Sequence, residues 1–177
     1  MEEMIDIYNE QTGEKTGKII SKKEAHKKGI WHSSIHLLIV SSDKTKTLLQ
    51  KRCSLKDLYP STWDIAVGGH ISAGEDSEIT IKREFNEELG LNPDNYKFEF
   101  VTKTKEILNN NGVDSREFVF IYVLYSDINI DDITLQKEEV ESVKWYNKEE
   151  FNNLINDNKV IPHKEDYKIL NEILIGD

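Results

Sequence analysis

Three glutamates near the middle of the chain, Glu84, Glu87 and Glu88, have the type and spacing of metal ligands. On a helix, which turns by roughly 100° per residue, their side chains fall within about a third of the circumference. Like charges at this spacing destabilise a helix, and the helix dipole disfavours anions near the C-terminal end. A divalent cation would remove both penalties, and Mg²⁺ suits carboxylates that leave room for water and phosphate. The alternative is a solvated acidic face.

The glutamates belong to a longer pattern that covers residues 69–91. Its fixed positions are Gly69, Glu75, Arg83, Glu84, Glu87, Glu88 and Gly90, and its apolar positions are Phe85 and Leu91. This segment resembles the signature of the Nudix hydrolases, with Phe85 where an aliphatic residue is more common. A match of this length is specific, unlike a lone glycine motif.

The resemblance implies an α/β fold, the Nudix α/β/α sandwich, with a mixed central sheet and a loop–helix–loop metal site. It implies that Glu84 and Glu88 are the principal Mg²⁺ ligands, with Mn²⁺ as a possible substitute. Glu87 would complete the set as ligand or base, and Gly69 would offer its backbone carbonyl. Metal ions in such a site bridge diphosphate oxygens and activate a water, so the implied reaction is hydrolysis of a diphosphate linkage.

The same resemblance assigns supporting roles around the glutamates. Arg83 would belong to the catalytic set and form an ion pair with Glu75 that shapes the loop. Gly74 and Gly90 would support the backbone of the loop and of the helix end. The substrate implied is a small molecule, either a nucleoside diphosphate linked to another group or a nucleoside di- or triphosphate.

Other segments resemble the branch of the family related to isopentenyl-diphosphate isomerase. They are residues 31–34, 50–54, 56–60 and 63–70. The isomerases carry a catalytic cysteine where this chain has Gly68, and their glutamate-rich helix is degenerate where this one is intact. Both differences favour a hydrolase. Isomerase activity, and nucleotide binding without catalysis, are the alternatives.

Substrate contacts are expected from Arg52, His70 and His32. A guanidinium pairs with phosphate oxygens in a bidentate manner, which favours Arg52, although an exposed strand charge is the alternative. His70 follows the glycine pair of the signature, and by resemblance His32 and His70 match metal ligands of the isomerases. His32 and His36 share one face of a predicted strand, and hydrogen-bonded structural histidines are the alternative for both.

Two further glutamates are weaker candidates. Glu117 is a candidate for one of the isomerase carboxylates, and an ion pair with its neighbour Arg116 is the alternative. Glu139, like Glu138, precedes a predicted strand in a region where some Nudix enzymes place a catalytic base.

Composition limits the partners. The net charge of −10 argues against binding to a nucleic-acid backbone or an anionic membrane. No apolar run approaches the roughly 20 residues that a membrane helix needs, and the acidic N-terminus lacks the pattern of a secretion signal. Together with the single cysteine, Cys53, this favours a cytoplasmic protein. A homodimer is possible.

The chain alternates predicted strands and helices, which is typical of a mixed sheet covered by helices. The strands are predicted at residues 4–8, 16–20, 31–40, 47–52, 63–67, 98–108, 117–125 and 140–146. The helices are predicted at residues 22–28, after the capping-box spacing of Ser21 and Glu24, and at 77–89, 148–156 and 166–175. We expect residues 1–30 to be a strand and helix extension of the same domain, and residues 31–177 to be the Nudix domain.

Overall fold

The computed structural model describes residues 1–176. The strands in this part of the chain are β1 (Met4–Tyr8), β2 (Lys15–Ser21), β3 (Trp31–Val40), β4 (Lys46–Arg52), β5 (Trp63–Ile65), β6 (Val67–His70), β7 (Glu99–Asn110), β8 (Val113–Tyr125) and β9 (Val140–Asn147). The helices are α1 (Lys22–Lys28), α2 (Ser77–Leu89), α3 (Lys148–Asn156) and α4 (Lys164–Ile173). None of the helices within residues 1–176 is long and apolar enough to cross a membrane.

Seven strands form one mixed sheet, as predicted. Its order is β5-β4-β3-β8-β7, while β6 pairs with β3 and β9 pairs with β4. The central strand β3 is buried along its whole length. It runs parallel to β8 and antiparallel to β4 and β6. β3 therefore lies at the centre of the sheet, between the layers that cover its two faces.

Different helices cover the two faces of this sheet. On one face, Ile35 of β3 packs in a cluster with Phe85 of α2. On the other face, Leu38 of β3 packs with Phe151 of α3 and Leu170 of α4. Successive side chains of a strand point to opposite faces, so one strand supplies both cores. The predicted α/β/α sandwich is confirmed.

Several element boundaries differ from the prediction. The strand predicted at 63–67 is two strands, because β5 pairs with β4 whereas β6 pairs with β3. Strand β8 begins at Val113, because Asn111 and Gly112, both with positive φ, make a tight hairpin turn with β7. Helix α4 begins at Lys164, two residues earlier than predicted, because the carbonyl of His163 accepts the amide of Tyr167.

The first 30 residues form a two-stranded sheet, β1 and β2, followed by α1. The hydroxyl of Ser21 accepts the amide of Glu24, and α1 ends at Gly29 with φ +62°. The predicted helix and both of its ends are therefore confirmed. This N-terminal unit packs against the loop that precedes α2 and places α1 beside β8.

Candidate functional site

A cleft of about 960 Å³ opens beside α2, β6 and α1. The sequence-predicted residues that line it are Arg52, Gly69, His70, Arg83, Glu84, Glu87, Glu88, Glu117 and Glu139. The other predicted residues lie beside the cleft and do not line it. His32 is fully buried beside His70, Glu75 and Gly74 lie in the loop before α2, and Gly90 ends α2. The structure thus brings the predicted residues into one region.

Helix α2 places its glutamates at the edge of its buried stripe. The helix begins after Asp76, whose carboxylate accepts the amide of Ile79, and ends at Gly90 with φ +67°. Glu88 is buried, and the side chain of Glu84 is only 12% exposed, whereas that of Glu87 is 45% exposed. The prediction that these carboxylates lie beside the core, and not on the solvent side, is confirmed for Glu84 and Glu88.

The two carboxylates Glu84 and Glu88 are largely buried, and the guanidinium that pairs with Glu84, that of Arg83, is shared with other carboxylates. Burial raises the pKa of Glu84 to about 7, and it raises the pKa of Glu88 well above its usual value. The amide of Gln50 donates a hydrogen bond to Glu88 over 2.9 Å. A divalent cation would supply the charge that is lacking, and oxygen donors of this kind fit a hard ion.

Gly69 lies directly against Glu84. A Cβ atom added at Gly69 would come within 2.3 Å of the Glu84 carboxyl carbon, closer than any real contact. A larger residue at this position would push the Glu84 carboxylate away from its present place beside β6. The close approach agrees with a site in which the Gly69 carbonyl and the Glu84 carboxylate serve the same ion.

Arg83 connects the loop to the glutamates. Its Nη2 lies 2.9 Å from Glu75, so the predicted ion pair is present, and its Nη1 lies 2.6 Å from Glu84. The same Nη1 lies 3.4 Å from Glu87, and Nη2 donates to the carbonyl of His70 over 3.4 Å. Since one guanidinium binds all these groups, Arg83 holds the loop and the helix in register.

The loop before α2 is also held by the N-terminal unit. The amide of Ala73 donates to the carbonyl of Met4 over 2.8 Å, and the amide of Gly74 donates to the Asp6 carboxylate over 3.0 Å. Lys15 donates to the carbonyl of Glu75 over 2.9 Å. The contribution of β1 and β2 to the site could not be read from the sequence, because the contacts are formed largely by backbone groups.

Three histidines and one glutamate, His26, His32, His70 and Glu117, form what we call the first cluster. Their possible ligand atoms lie within 4.8 Å of one another. Nε2 of His26 lies 3.3 Å from Nε2 of His70, which lies 3.3 Å from the Glu117 carboxylate. Nε2 of His32 is buried 3.5 Å from Glu117, and within residues 1–176 it has no hydrogen-bond partner.

The first cluster disfavours protonation of two of its histidines, His26 and His70. Burial, with His70 and His32 nearby, lowers the pKa of His26 to about 4, and burial lowers the pKa of His70. Although burial opposes ionisation of Glu117, His70 and His32 hold its pKa well below the usual value. Neutral imidazoles around one carboxylate can bind a divalent cation.

His26 was not among the sequence-predicted site residues. It lies on α1, between basic residues that suggest a solvated surface, and no local spacing relates it to His32 or His70. The alternative of a Glu117–Arg116 ion pair is wrong, because Arg116 pairs with Asp114 at 3.0 Å.

A second group, which we call the second cluster, consists of His36, His163, Asp64, Glu106 and Asp166. Nε2 of His163 lies 2.9 Å from Asp64, and Nδ1 lies 2.8 Å from Glu106. Nδ1 of His36 lies 2.9 Å from Asp166, and the two imidazole rings are 4.5 Å apart between centroids. His36 shares its face of β3 with His32, as predicted.

The second cluster favours the charged form of its histidines. Burial opposes the charge, but Glu106 and Asp64 raise the pKa of His163 well above its usual value, and Asp166 raises the pKa of His36. Despite burial, His163 lowers the pKa of Asp64 to about 2.

Arg52 and Glu139 lie at the same end of the cleft. Nη1 of Arg52 lies 3.3 Å from Asp64, and Nε donates to the carbonyl of Leu58 over 3.0 Å. Nη2 has no hydrogen-bond partner in the described part of the chain, so it is free to meet an anion. Glu139 forms an ion pair with Lys56.

The chain is similar to an isopentenyl-diphosphate Delta-isomerase from Aliivibrio fischeri. The two are 29% identical over 154 residues, which is 82% of this chain and 81% of that protein. A Cβ atom added at Gly68, where the isomerase signature has cysteine, would make only ordinary contacts, the nearest at 3.4 Å from Ile65. There is room for a side chain at this position, yet the residue is glycine.

Nudix hydrolase 3 of Arabidopsis thaliana is 37% identical over 158 residues, which is 87% of this chain but only 20% of that protein. An uncharacterized Nudix hydrolase of Clostridium acetobutylicum is 38% identical over 144 residues, covering 78% of this chain and 67% of that protein. A crystal structure from Deinococcus radiodurans, 20% identical, superposes with a TM-score of 0.74 and covers 97% of this chain and 99% of its own. The NUDIX domain family model matches residues 31–165. With this match and the geometry of α2, the chain belongs to the Nudix hydrolase family.

Proposed function

We propose that this protein is a Mg²⁺-dependent hydrolase that cleaves a diphosphate linkage in a nucleoside diphosphate derivative or a nucleotide. The observation that carries the proposal is the pair of carboxylates Glu84 and Glu88, which face one cleft and have raised pKa values although Arg83 pairs with Glu84. Mn²⁺ is a possible substitute for Mg²⁺, because it accepts the same oxygen ligands.

Each residue then has a defined task. Glu84, Glu88 and the Gly69 carbonyl hold the ion, and Glu87, the most exposed of the three glutamates, acts as a further ligand or as the base. A bound divalent ion neutralises the diphosphate and lowers the pKa of a water. Arg83 keeps the loop and the carboxylates in place, and the free Nη2 of Arg52 binds a phosphate oxygen.

The test is cleavage of a panel of nucleotides, nucleotide sugars and dinucleotide cofactors, with Mg²⁺ and with a chelator, followed by chromatography of the phosphate products. We expect cleavage of one class that the chelator abolishes. Glu84→Gln and Glu88→Gln should each lower kcat by about a hundred-fold or more, as loss of charge stabilisation in an active site does.

Glu78→Gln is the matched control. Glu78 lies exposed in the first turn of the same helix, outside the cleft lining, so its substitution should leave kcat unchanged. Full activity in both the Glu84 and the Glu88 variants, with the fold intact by circular dichroism, would overturn the mechanism.

The first cluster favours a second candidate, an isoprenoid-diphosphate enzyme of the isomerase type. In that case His26, His32, His70 and Glu117 would hold a divalent cation. Gly68 opposes this candidate, because glycine has no side chain to transfer a proton. Isopentenyl diphosphate in deuterated water separates the two. Metal-dependent deuterium incorporation would establish the isomerase type. Its absence from a protein that hydrolyses a diphosphate linkage would exclude the isomerase type.

A further inference from the structure

We propose that His36 is a further catalytic residue, whose imidazole, held by Asp166, donates its Nε2–H to an oxygen of the bound diphosphate. The inference rests on the proposed diphosphate chemistry of the cleft and adds a contact on the face of the sheet opposite α2.

The first argument is the hydrogen bonding of the two histidines in the second cluster. Both ring nitrogens of His163 are engaged, by Asp64 and by Glu106. His36 engages only Nδ1, which lies 2.9 Å from Asp166. No group within residues 1–176 bonds to Nε2 of His36. Of the two imidazoles, only that of His36 therefore has a nitrogen left for a ligand.

The imidazole of His36 also lies at the cleft, near the residues proposed to bind the metal ion. His36 lines the cleft, and it lies opposite Gly68 in the antiparallel pairing of β3 and β6. A Cβ atom added at Gly68 would lie 3.7 Å from Cδ2 of His36, the carbon bonded to Nε2. The next residue, Gly69, lies against Glu84. The free edge of the imidazole and the metal-binding carboxylate thus lie on opposite sides of β6, and both line the same cleft.

The charges of the second cluster balance when His36 is protonated. The second cluster and its neighbour Arg52 contain three carboxylates and, without His36, two cations; these are Asp64, Glu106, Asp166, His163 and Arg52. A protonated His36 makes the group neutral, and the raised pKa of His36 agrees with this. A protonated imidazole can only donate hydrogen bonds, so it matches a phosphate oxygen and repels a metal ion.

The contact fits the chemistry of the reaction. When the water oxygen bonds to phosphorus and the bridging P–O bond breaks, the leaving phosphate takes the electron pair of that bond. A charged hydrogen bond to this oxygen stabilises the developing charge. The proton can stay on Nε2, because a phosphate monoester with a second pKa of about 6 is a weak base. The proton of the water leaves through a carboxylate to solvent.

The test compares His36→Phe, which keeps a ring but no nitrogen, with wild type at saturating Mg²⁺. We expect kcat/KM to fall about ten- to hundred-fold, the usual effect of losing one charged hydrogen bond. Because His36→Phe leaves Asp166 buried without a partner, the double variant His36→Phe/Asp166→Leu is the second test. It removes both charges and should show the same loss. Leu38→Ala is the matched control, since Leu38 lies on the same face of β3 but packs against α3 and α4. It should lower Tm and leave kcat/KM unchanged.

Binding of methylenediphosphonate, a diphosphate mimic that cannot be hydrolysed, separates this inference from the proposed function. If wild type shows no hydrolysis on any substrate, the proposed function fails, and calorimetric affinity for the mimic with Mg²⁺ decides the role of His36. Weaker binding by the folded variants supports the contact. Wild-type kcat/KM in a folded His36 variant, or wild-type affinity for the mimic where wild type is inactive, overturns it.

Discussion

Each histidine cluster includes one histidine on the same face of β3, His32 in the first and His36 in the second, four residues apart. The two clusters differ in the protonation that they favour. The first has three histidines around one carboxylate, Glu117, and the pKa values of His26 and His70 are lowered. The second has two histidines among three carboxylates, and the pKa values of both histidines are raised. A cluster with more carboxylates than imidazoles favours protonated imidazoles. A cluster with more imidazoles than carboxylates leaves ring nitrogens unprotonated and able to bind a metal ion.

The comparison also assigns different tasks to the clusters. In the second, His163 is bonded at both nitrogens, so its imidazole is closed to a metal ion, and only Nε2 of His36 is left to donate to a ligand. In the first, Nε2 of His32 is buried without a partner among the described residues, so the cluster is open. Buried polar atoms without partners are rare and call for an explanation such as an ion.

The largest expected effect is on stability in the absence of metal. His163→Leu leaves Asp64 buried and Glu106 partly buried without the cation between them, and should lower the free energy of unfolding by about 3–5 kcal/mol. His32→Leu replaces a ring by an apolar side chain of similar volume and should cost less than about 1.5 kcal/mol. Urea unfolding with a chelator measures both. Equal losses would remove the distinction between the clusters.

The next effect concerns metal binding. Zn²⁺, which prefers histidine nitrogen, should stabilise wild type by about 2.7 kcal/mol at a hundred times its Kd, with a matching rise in Tm. Glu117→Gln should abolish the rise, whereas His163→Leu should retain it on a lower starting Tm. A rise that survives in Glu117→Gln and disappears in His163→Leu would reverse the assignment of open and closed clusters.

The smallest effect is on the acid side of the stability profile. His163 lowers the pKa of Asp64 from 3.8 to about 2 on folding. A lowered pKa gives stability that is present above the unfolded value and is lost as pH falls through the folded value. This amounts to about 2 kcal/mol between pH 4 and pH 2. Asp64→Asn should flatten that part of the profile, as measured by urea unfolding at several pH values. An unchanged slope would show that Asp64 is not the titrating group.

Sequence patterns predicted α2, its ends and its buried edge of glutamates, because capping, periodicity and the Nudix signature all lie within one short segment. They also predicted the full length of β3, because its ten residues are uniformly compatible with a buried strand. His32, His70 and Glu117 could be proposed only through resemblance.

The second cluster could not be predicted from local patterns. Its five side chains come from β3, β5, β7 and the start of α4, and the His36–Asp166 pair spans 130 residues. No local spacing connects such positions. A histidine and an aspartate so far apart look like ordinary surface residues until the tertiary fold brings them together. His26 was missed for the same reason.

The separation of His36 from Asp166 has a consequence for the order of events during synthesis. Asp166 is made 130 residues after His36. At about 5–20 residues per second, His36 leaves the ribosome on the order of ten seconds before its partner exists. Over that interval the central strand carries a histidine that will be buried but has no carboxylate to balance it. The nascent chain can therefore pair β3 with β8 and form the α2 layer first, while the far wall of the cleft must wait for α4.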